Sequence, residues 1–475
     1  MARPGWRQIS FGDAELRAQA TARNPRLQVI AKLLDDRREL IEKVAHDLRR
    51  GLKNPRTGRT GLSPFQVLRA FVLQRIENLD LRSLSERIAD GVCWRVFAGF
   101  DSQPVPRHHA FNRAFNRLTA ETVRQVNEEV VRYAVEAGVE DGKRLRVDTT
   151  VVETDIRFPS DSSLLWDCVR VIIREVKRLG EDAPEAVRGF RDHTRRARRR
   201  FQEITRMTRQ QRHRQQRPKY RDLIETTEHV VSTARVVLPK AREKAESCGD
   251  LMRGIRLRGQ CDSIERYCAL ADRVIGQTRR RVLKGEQVPV AEKIFSIFEP
   301  HTDCIVRGKA QKPVEFGHKV FLAESGHGLI TDYQVLNGNP QDETHVRSVL
   351  DRHALFFSHG PHVFAADRGF YSSSNVDACR QSGVTIESIP QRGGTRTAER
   401  ETHEKTRSFK QAQRFRAGVE GRISVLMRGR GMRRCLSSGR ARFDVFVGMA
   451  VLANNLLVLA ELLAKKKPTH HSRAA

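Results

Sequence analysis

Three acidic residues stand in settings where an acid is unusual. Asp148 lies within RVDTTVV, a run rich in β-branched residues. An acid there opposes strand propensity and needs a partner if it is buried. Alternation puts Arg146, Asp148 and Thr150 on one face and Val147, Thr149 and Val151 on the other. Asp367 ends the apolar run Val363-Phe364-Ala365-Ala366 and precedes Arg368-Gly369-Phe370. In open α/β sheets, ligands gather just beyond the carboxyl ends of strands. Glu420 lies in RFRAGVEGRISVLMR, which the spacing predicts to be helical. Arg416 and Glu420 share one face, and Phe415, Val419 and Ile423 form a buried stripe beside it. Taken singly, Asp148 reads equally well as an acid paired to an arginine. Glu420 alone reads as a surface ion pair worth about 0.3–0.5 kcal/mol. The combination carries more. Two aspartates from separate strands and a glutamate from a later helix can converge at one end of a sheet. At about 4 Å and an effective dielectric near 20, each pair of bare carboxylates repels by roughly 4 kcal/mol. Hard divalent cations relieve that repulsion, and all-oxygen ligation suits Mg²⁺ or Mn²⁺. Two such ions about 4 Å apart support in-line displacement at a phosphodiester by water or a 3′-hydroxyl.

The elements that must position these acids follow from pattern and punctuation. Ser63-Pro64 starts a helix, with Phe65, Leu68, Phe71, Val72 and Ile76 repeating at helical spacing. A second helix over about 82–90 stops at Gly91. A third carries Phe111, Phe115 and Leu118, and Thr119 caps a fourth that ends near Gly138. Residues 1–140 are therefore expected to be an N-terminal helical domain for DNA binding or dimerisation. LRVDTTVVET then reads as a strand, so 141–160 opens an α/β core. Helical pattern returns over 161–290 as a long basic insertion after that first core strand. Residues 291–465 supply the rest of the core. Strands are expected at 318–325, 329–336, 362–367 and VTIESIP, with helices near 342, 374–382 and from 408 onward. Residues 391–407 lack apolar periodicity and are expected to be a loop. Residues 466–475 are expected to be a disordered tail.

Composition narrows the partner. Among 475 residues, 87 Lys and Arg exceed 57 Asp and Glu by 30, which points to a polyanion, nucleic acid first. Residues 193–221 hold twelve of those cations and the single acid Glu203. Arg195, Arg196, Arg198 and Arg199 are the cations there expected to meet DNA phosphate, which positions a duplex without reading its sequence. A solvated helical face is the competing reading of such a run. The eight cysteines have no CxxC or zinc spacing, so small buried thiols in a reducing compartment are expected. Val445–Leu463 is apolar but contains Asn454, Asn455 and Glu461, which are costly in a bilayer. A buried helix, no membrane partner and a cytoplasmic, nucleoid-associated location are the expectations.

At the acidic residues the sequence closely resembles bacterial insertion-sequence transposases of the DDE class, in particular an ISNCY-type branch. The matching blocks are RVDTTVVETDIRFPSDSSLLWD, IFEPHTDCIVRGKAQKPVEFGHKVFL, DYQVLNGNPQDETH, FAADRGFYS and RFRAGVEGRISVLMR. The stretch from Ser63 to Leu118 is similar to the helical domain that precedes the catalytic core in these proteins. The resemblance implies an RNase H-like α/β core in which Asp148, Asp367 and Glu420 are the catalytic, metal-holding triad. Its substrates would be inverted-repeat ends and target double-stranded DNA, and its assembly a homodimer or higher oligomer. Related elements carry a Tyr-Arg-Glu-Lys signature on the last catalytic helix. Arg416 and Glu420 match it, whereas Gln413 stands at the tyrosine position and Met427 at the lysine position, with Arg428 beside it. Arg416 and Arg428 are thus expected at DNA. Counted at 100° per residue, position 427 falls within about 20° of Arg416 and Arg428 lies a further 100° round. Two rivals stay open: a metal-dependent nuclease of the same fold without strand transfer, and a catalytically impaired, transposase-derived DNA-binding protein.

Overall fold

The structure is a computed structural model and describes residues 3–4, 11–52, 54, 57, 60–306 and 313–466. In chain order, β1 (Arg3–Pro4) precedes helices α1 (Phe11–Arg23), α2 (Pro25–Asp36) and α3 (Arg38–Arg49). Strand β2 (Thr60–Gly61), which pairs with β1, leads to α4 (Pro64–Glu77), α5 (Leu81–Asp90), α6 (Val92–Phe97), α7 (His108–Phe115) and α8 (Ala120–Glu136). The starts are written in the sequence. Ser63 and Gln66 form a reciprocal cap with Pro64 at the first turn, Asp80 caps α5, and Thr119 caps α8. Leu118 falls just beyond α7 yet is buried, and α6 is a helix that pattern reading did not reveal.

The long strand β3 (Arg144–Thr154) follows, then α9 (Asp161–Asp182), α10 (Thr194–Arg206), α11 (Arg209–Glu246) and α12 (Leu251–Thr278). The chain returns through β4 (Asp303–Val306), β5 (Val314–Ser325), β6 (Ile330–Val335), α13 (Val346–Phe357), β7 (Val363–Ala365), α14 (Ser373–Gln381) and β8 (Ile386–Ser388). It ends with α15 (Ala398–Lys405), α16 (Arg407–Ser424), β9 (Arg434–Cys435) and α17 (Arg440–Lys465). Helix α15 corrects the expected loop over 391–407. It has no apolar stripe because ion pairs hold it: Arg400 binds Glu404 one turn on and buried Glu387 below, each at 3.0 Å, and Thr397 caps it. The expected tail, apart from Lys466, lies outside the described residues.

Two compact units result: Met1–Glu153 with His318–Ala475, and Thr154–Gly317. In the first, the sheet runs β5-β3-β7-β8, with β6 antiparallel on β5 and β9 on β3. β3, β7 and β8 are mutually parallel. One face packs Leu145, Val147, Phe321 and Phe364 against α13 and α14. The opposite face packs Val152, Val320 and Leu322 against Phe443, Val447 and Val451 of α17. The same α17 sends Met449, Leu452 and Leu456 among the N-terminal helices, so helical region and sheet form one body. By length and composition α17 is apolar enough to cross a membrane, but it is largely buried. Of its costly asparagines, Asn455 exchanges hydrogen bonds with the Ile330 backbone and donates to Asn127, while Asn454 Oδ1 accepts from Arg422.

The second unit is a helical bundle of α9 to α12 around Leu165, Ile172, Leu223, Val230, Leu257 and Ile264. β4 pairs there with the first residues of β5, Asp303 opposite Gly317. All eight cysteines are free thiols.

Candidate active site

Register brings the two aspartates level. β3 and β7 run parallel with Arg144 opposite Val363 and Arg146 opposite Ala365. The pairing stops there, but the same register carried two residues further sets Asp148 of β3 beside Asp367, just past β7. Asp148 is buried, and its Oδ1 accepts the Thr149 N–H at 2.7 Å. Asp367 lies two residues past β7 and opens a tight turn whose Gly369 N–H donates to its Oδ1 at 2.7 Å.

Helix α16 delivers the third acid and a cation. Arg416 Nη2 lies 3.0 Å from Asp148 Oδ2 and 3.7 Å from Asp367 Oδ2, while its Nη1 donates to Glu420 Oε1 at 2.9 Å. The three expected acids therefore meet around one guanidinium. One positive charge faces three negative ones, so the cluster retains an attraction for further cations, and its donors are all carboxylate oxygens. That chemistry fits hard divalent ions held by Asp148, Asp367 and Glu420. A tighter acidic group, Glu140 with Asp141 and His327, has ligand atoms within 4.8 Å of one another. It lies at the start of β3, and Glu140 is already engaged there by the Asp141 and Gly142 N–H groups and the Ser325 hydroxyl. We read that group as a hydrogen-bond knot closing the turn into β3.

What holds α16 over the strand ends was not visible in the sequence. Gln413, at the signature's tyrosine position, donates to Ala366 O at 3.2 Å and to Ser388 O at 2.7 Å, tying the helix to the ends of β7 and β8. Arg146 shares Asp148's face of β3 and donates to Phe415 O at 2.6 Å. The approach is close: a Cβ on Gly418 would lie 2.1 Å from Arg146 Nη1, so a larger residue there would displace that guanidinium. Arg146 is fixed in turn by Glu324, fully buried on β5, at 2.8 Å from its Nε. Glu324 also takes Arg422 of α16, at 2.9 Å. The available signal was an acid at the end of the apolar strand HKVFLAES.

The far end of α16 departs from the simple helical count. Past Ser424 the chain widens into a π-turn over Val425–Gly429. Each residue there advances less around the axis than in an α-helix. Arg428 therefore lies nearer the Arg416 face than 100° steps place it. Arg428 is exposed and bonds Ser424 Oγ at 3.1 Å, whereas Met427 packs beside the buried Leu426 and Met432.

In the second unit the basic run splits by partner. Arg196 and Arg200 both bind Asp222, and Arg199 lies 4.0 Å from Glu203. Arg195 and Arg198 are exposed and have no carboxylate partner among the described residues. A cavity of about 1040 Å³ opens beside the start of α11, lined by Arg212, Arg217, Arg281 and Lys293, with Asp161 pairing Arg281 at 2.9 Å.

Two family models match segments of this sequence. Residues 14–117, spanning α1 to α7, match a transposase domain (DUF772), and residues 305–456 match a transposase DDE domain. No curated protein and no solved structure matches the chain. The DDE match contains Asp367 and Glu420, and Asp148 stands across the helical unit from it in sequence. Segments that match transposase domains therefore lie on both sides of that unit in the sequence.

Proposed function

We propose that this chain is a DDE transposase of a bacterial insertion sequence, of the ISNCY-type branch, working on an RNase H-like core. It cuts DNA at inverted-repeat ends and joins the freed 3′-hydroxyls to target DNA. The observation that supports this most is the meeting of Asp148, Asp367 and Glu420 on Arg416, between the middle of β3 and the carboxyl end of β7. Two Mg²⁺ or Mn²⁺ ions held by these carboxylates would supply charge neutralisation and nucleophile activation in phosphoryl transfer. The protein's own groups do the rest. The Gly369 N–H orients the Asp367 carboxylate, and Gln413 keeps α16 at the strand ends. Arg416 offers a planar donor fork suited to a strand phosphate. Arg428, exposed on the π-turn, adds a second cation. In the second unit, Arg195, Arg198, Arg212 and Arg217 offer cations to phosphates, and Arg196 and Arg199 serve mainly the bundle's own ion pairs. Action as a homodimer or higher oligomer on nucleoid DNA completes the reading.

The test uses the full chain and a duplex carrying the element's inverted-repeat end. Asp148→Asn, Asp367→Asn and Glu420→Gln should each abolish Mn²⁺-dependent nicking and strand transfer while changing DNA affinity less than about threefold. Retained cleavage in any of the three would overturn the assignment. Cleavage without joining would favour the nuclease reading.

A further inference from the structure

Asp342 opens the turn Asp342–His345 that leads into α13. It falls in the block DYQVLNGNPQDETH, to which the triad assigns nothing. Its Oδ1 accepts the Thr149 hydroxyl at 2.9 Å and the Lys319 ammonium at 2.7 Å. Lys319 sits on β5 with only 7% of its surface exposed, and it also donates to Pro340 O at 2.8 Å. A lysine so buried needs a counter-charge, and Asp342 is that charge.

Thr149 follows Asp148 on β3 and points to the opposite face, as Lys319 does on β5. Asp342 thus approaches the acidic cluster from the other side of the sheet. Its second oxygen closes on the Asp367 turn. A Cβ on Gly369 would lie 3.1 Å from Asp342 Oδ2 and 3.0 Å from Asp367 Oδ1. Gly369 carries the N–H that holds Asp367. Asn375 fastens the two turns together, donating to Glu343 O and Phe370 O, each at 2.8 Å. One carboxylate therefore touches the strand that carries Asp148 and the turn that carries Asp367. A bare fourth acid at this spot would raise the mutual repulsion of the cluster, and Lys319 offsets it.

We propose that Asp342, with Lys319 as its buried counter-ion, is a positioning residue of the site. It fixes the β3 strand and the Asp367 turn against each other, and the charge balance of the pair sets how strongly the cluster draws divalent cations. This rests on the reading of Asp148, Asp367 and Glu420 as the metal-holding acids.

Mn²⁺ binding to the full chain, followed calorimetrically and by electron paramagnetic resonance, separates this from a purely structural role. Asp342→Asn removes a negative charge and should weaken binding by about threefold to tenfold, the scale of one screened charge several ångströms away. Lys319→Met removes a positive charge and should tighten binding by a similar factor. The double variant should return near wild type. Gly369→Ala, at an ordinary backbone conformation and away from the core, should weaken binding severalfold with an unchanged melting curve. It serves if burial effects unfold the Lys319 variant. Shifts of the same sign for Asp342→Asn and Lys319→Met would overturn the proposal, as would wild-type affinity in Gly369→Ala. Mn²⁺ binding to wild type that Asp148→Asn leaves unchanged would instead refute the underlying triad reading, and this inference would fall with it.

Discussion

Glu324 should be the most costly single side chain to remove in the first unit. Its Oε2 lies 2.8 Å from Arg146 Nε and 2.7 Å from Arg146 Nη2, and its Oε1 lies 2.9 Å from Arg422 Nε. The carboxylate has no solvent exposure, while the side chains of Arg146 and Arg422 are 13% and 20% exposed. Glu324→Met would leave two nearly buried guanidiniums without this counter-charge, retaining Phe415 O and the Phe415 ring for Arg146 and Asn454 Oδ1 for Arg422. Breaking a buried ion pair in this way costs about 3–5 kcal/mol. For a unit this large, that corresponds to a fall in Tm of roughly 5–10 °C. Replacing the whole triad with Arg146→Met, Glu324→Met and Arg422→Met removes the unpaired charge and should recover most of the lost stability. It does not restore the Arg146 bond that tethers α16, so strand cleavage should stay low in the stable triple variant. Urea and thermal melts followed by circular dichroism, with cleavage assayed on the same preparations, measure both quantities. A loss below about 1 kcal/mol for Glu324→Met, or a fully active triple variant, would refute the reasoning.

Two further outcomes follow from charge and burial. Burial pushes His353 down to about 4, and its Nε2–H donates to Gly142 O at 2.9 Å. A histidine depressed when folded contributes stability above its unfolded value near 6.5, and that contribution is lost as pH falls toward 4. The slope there should approach about 1.4 kcal/mol per pH unit and disappear in His353→Gln, read from urea melts between pH 4 and 7. Neutralising Arg195, Arg198, Arg212 and Arg217 to Gln should flatten the slope of log affinity against log salt by roughly three to four, at about 0.9 per phosphate contact. Arg196→Gln, whose guanidinium serves Asp222, should leave that slope nearly unchanged; binding titrations across a salt series decide both.

Local signals and tertiary ones differed in how far they could be read. Helix starts at Ser63 and Thr119 are written in three or four consecutive residues, so they were legible. So were the long strand through Asp148 and the return of helical pattern after it. Helix α15 was not, because its stability comes from Arg400 reaching Glu387 on a strand thirteen residues earlier, and no apolar period records that contact. β4 and β9, of four and two residues, are too short to carry an alternating pattern. The compact union of α17 with the N-terminal helices depends on contacts more than three hundred residues apart in sequence, and pattern reading stops well short of that range.

For the site, the same division explains why Glu420 looked ordinary. Four residues from Arg416, it has the spacing of any surface ion pair, and its side chain is indeed 68% exposed. What makes the pair unusual is the rest of the guanidinium, which reaches Asp148 on a strand 268 residues away. That reach requires α16 to lie over the first half of β3 and the end of β7, and three features set it there. Gln413 caps the ends of β7 and β8, Arg146 grips the backbone at Phe415, and Gly418 leaves room for that grip. At the tyrosine position, then, the departure from the family signature has a structural use: an amide can donate to two strand-end carbonyls at once, whereas a phenol has one hydrogen to give. The lysine position follows a different logic. The π-turn tucks Met427 toward Leu426 and turns exposed Arg428 toward the face that Arg416 occupies. A lysine at 427 would have to leave that packing to meet a phosphate, so the cation expected to do so is Arg428.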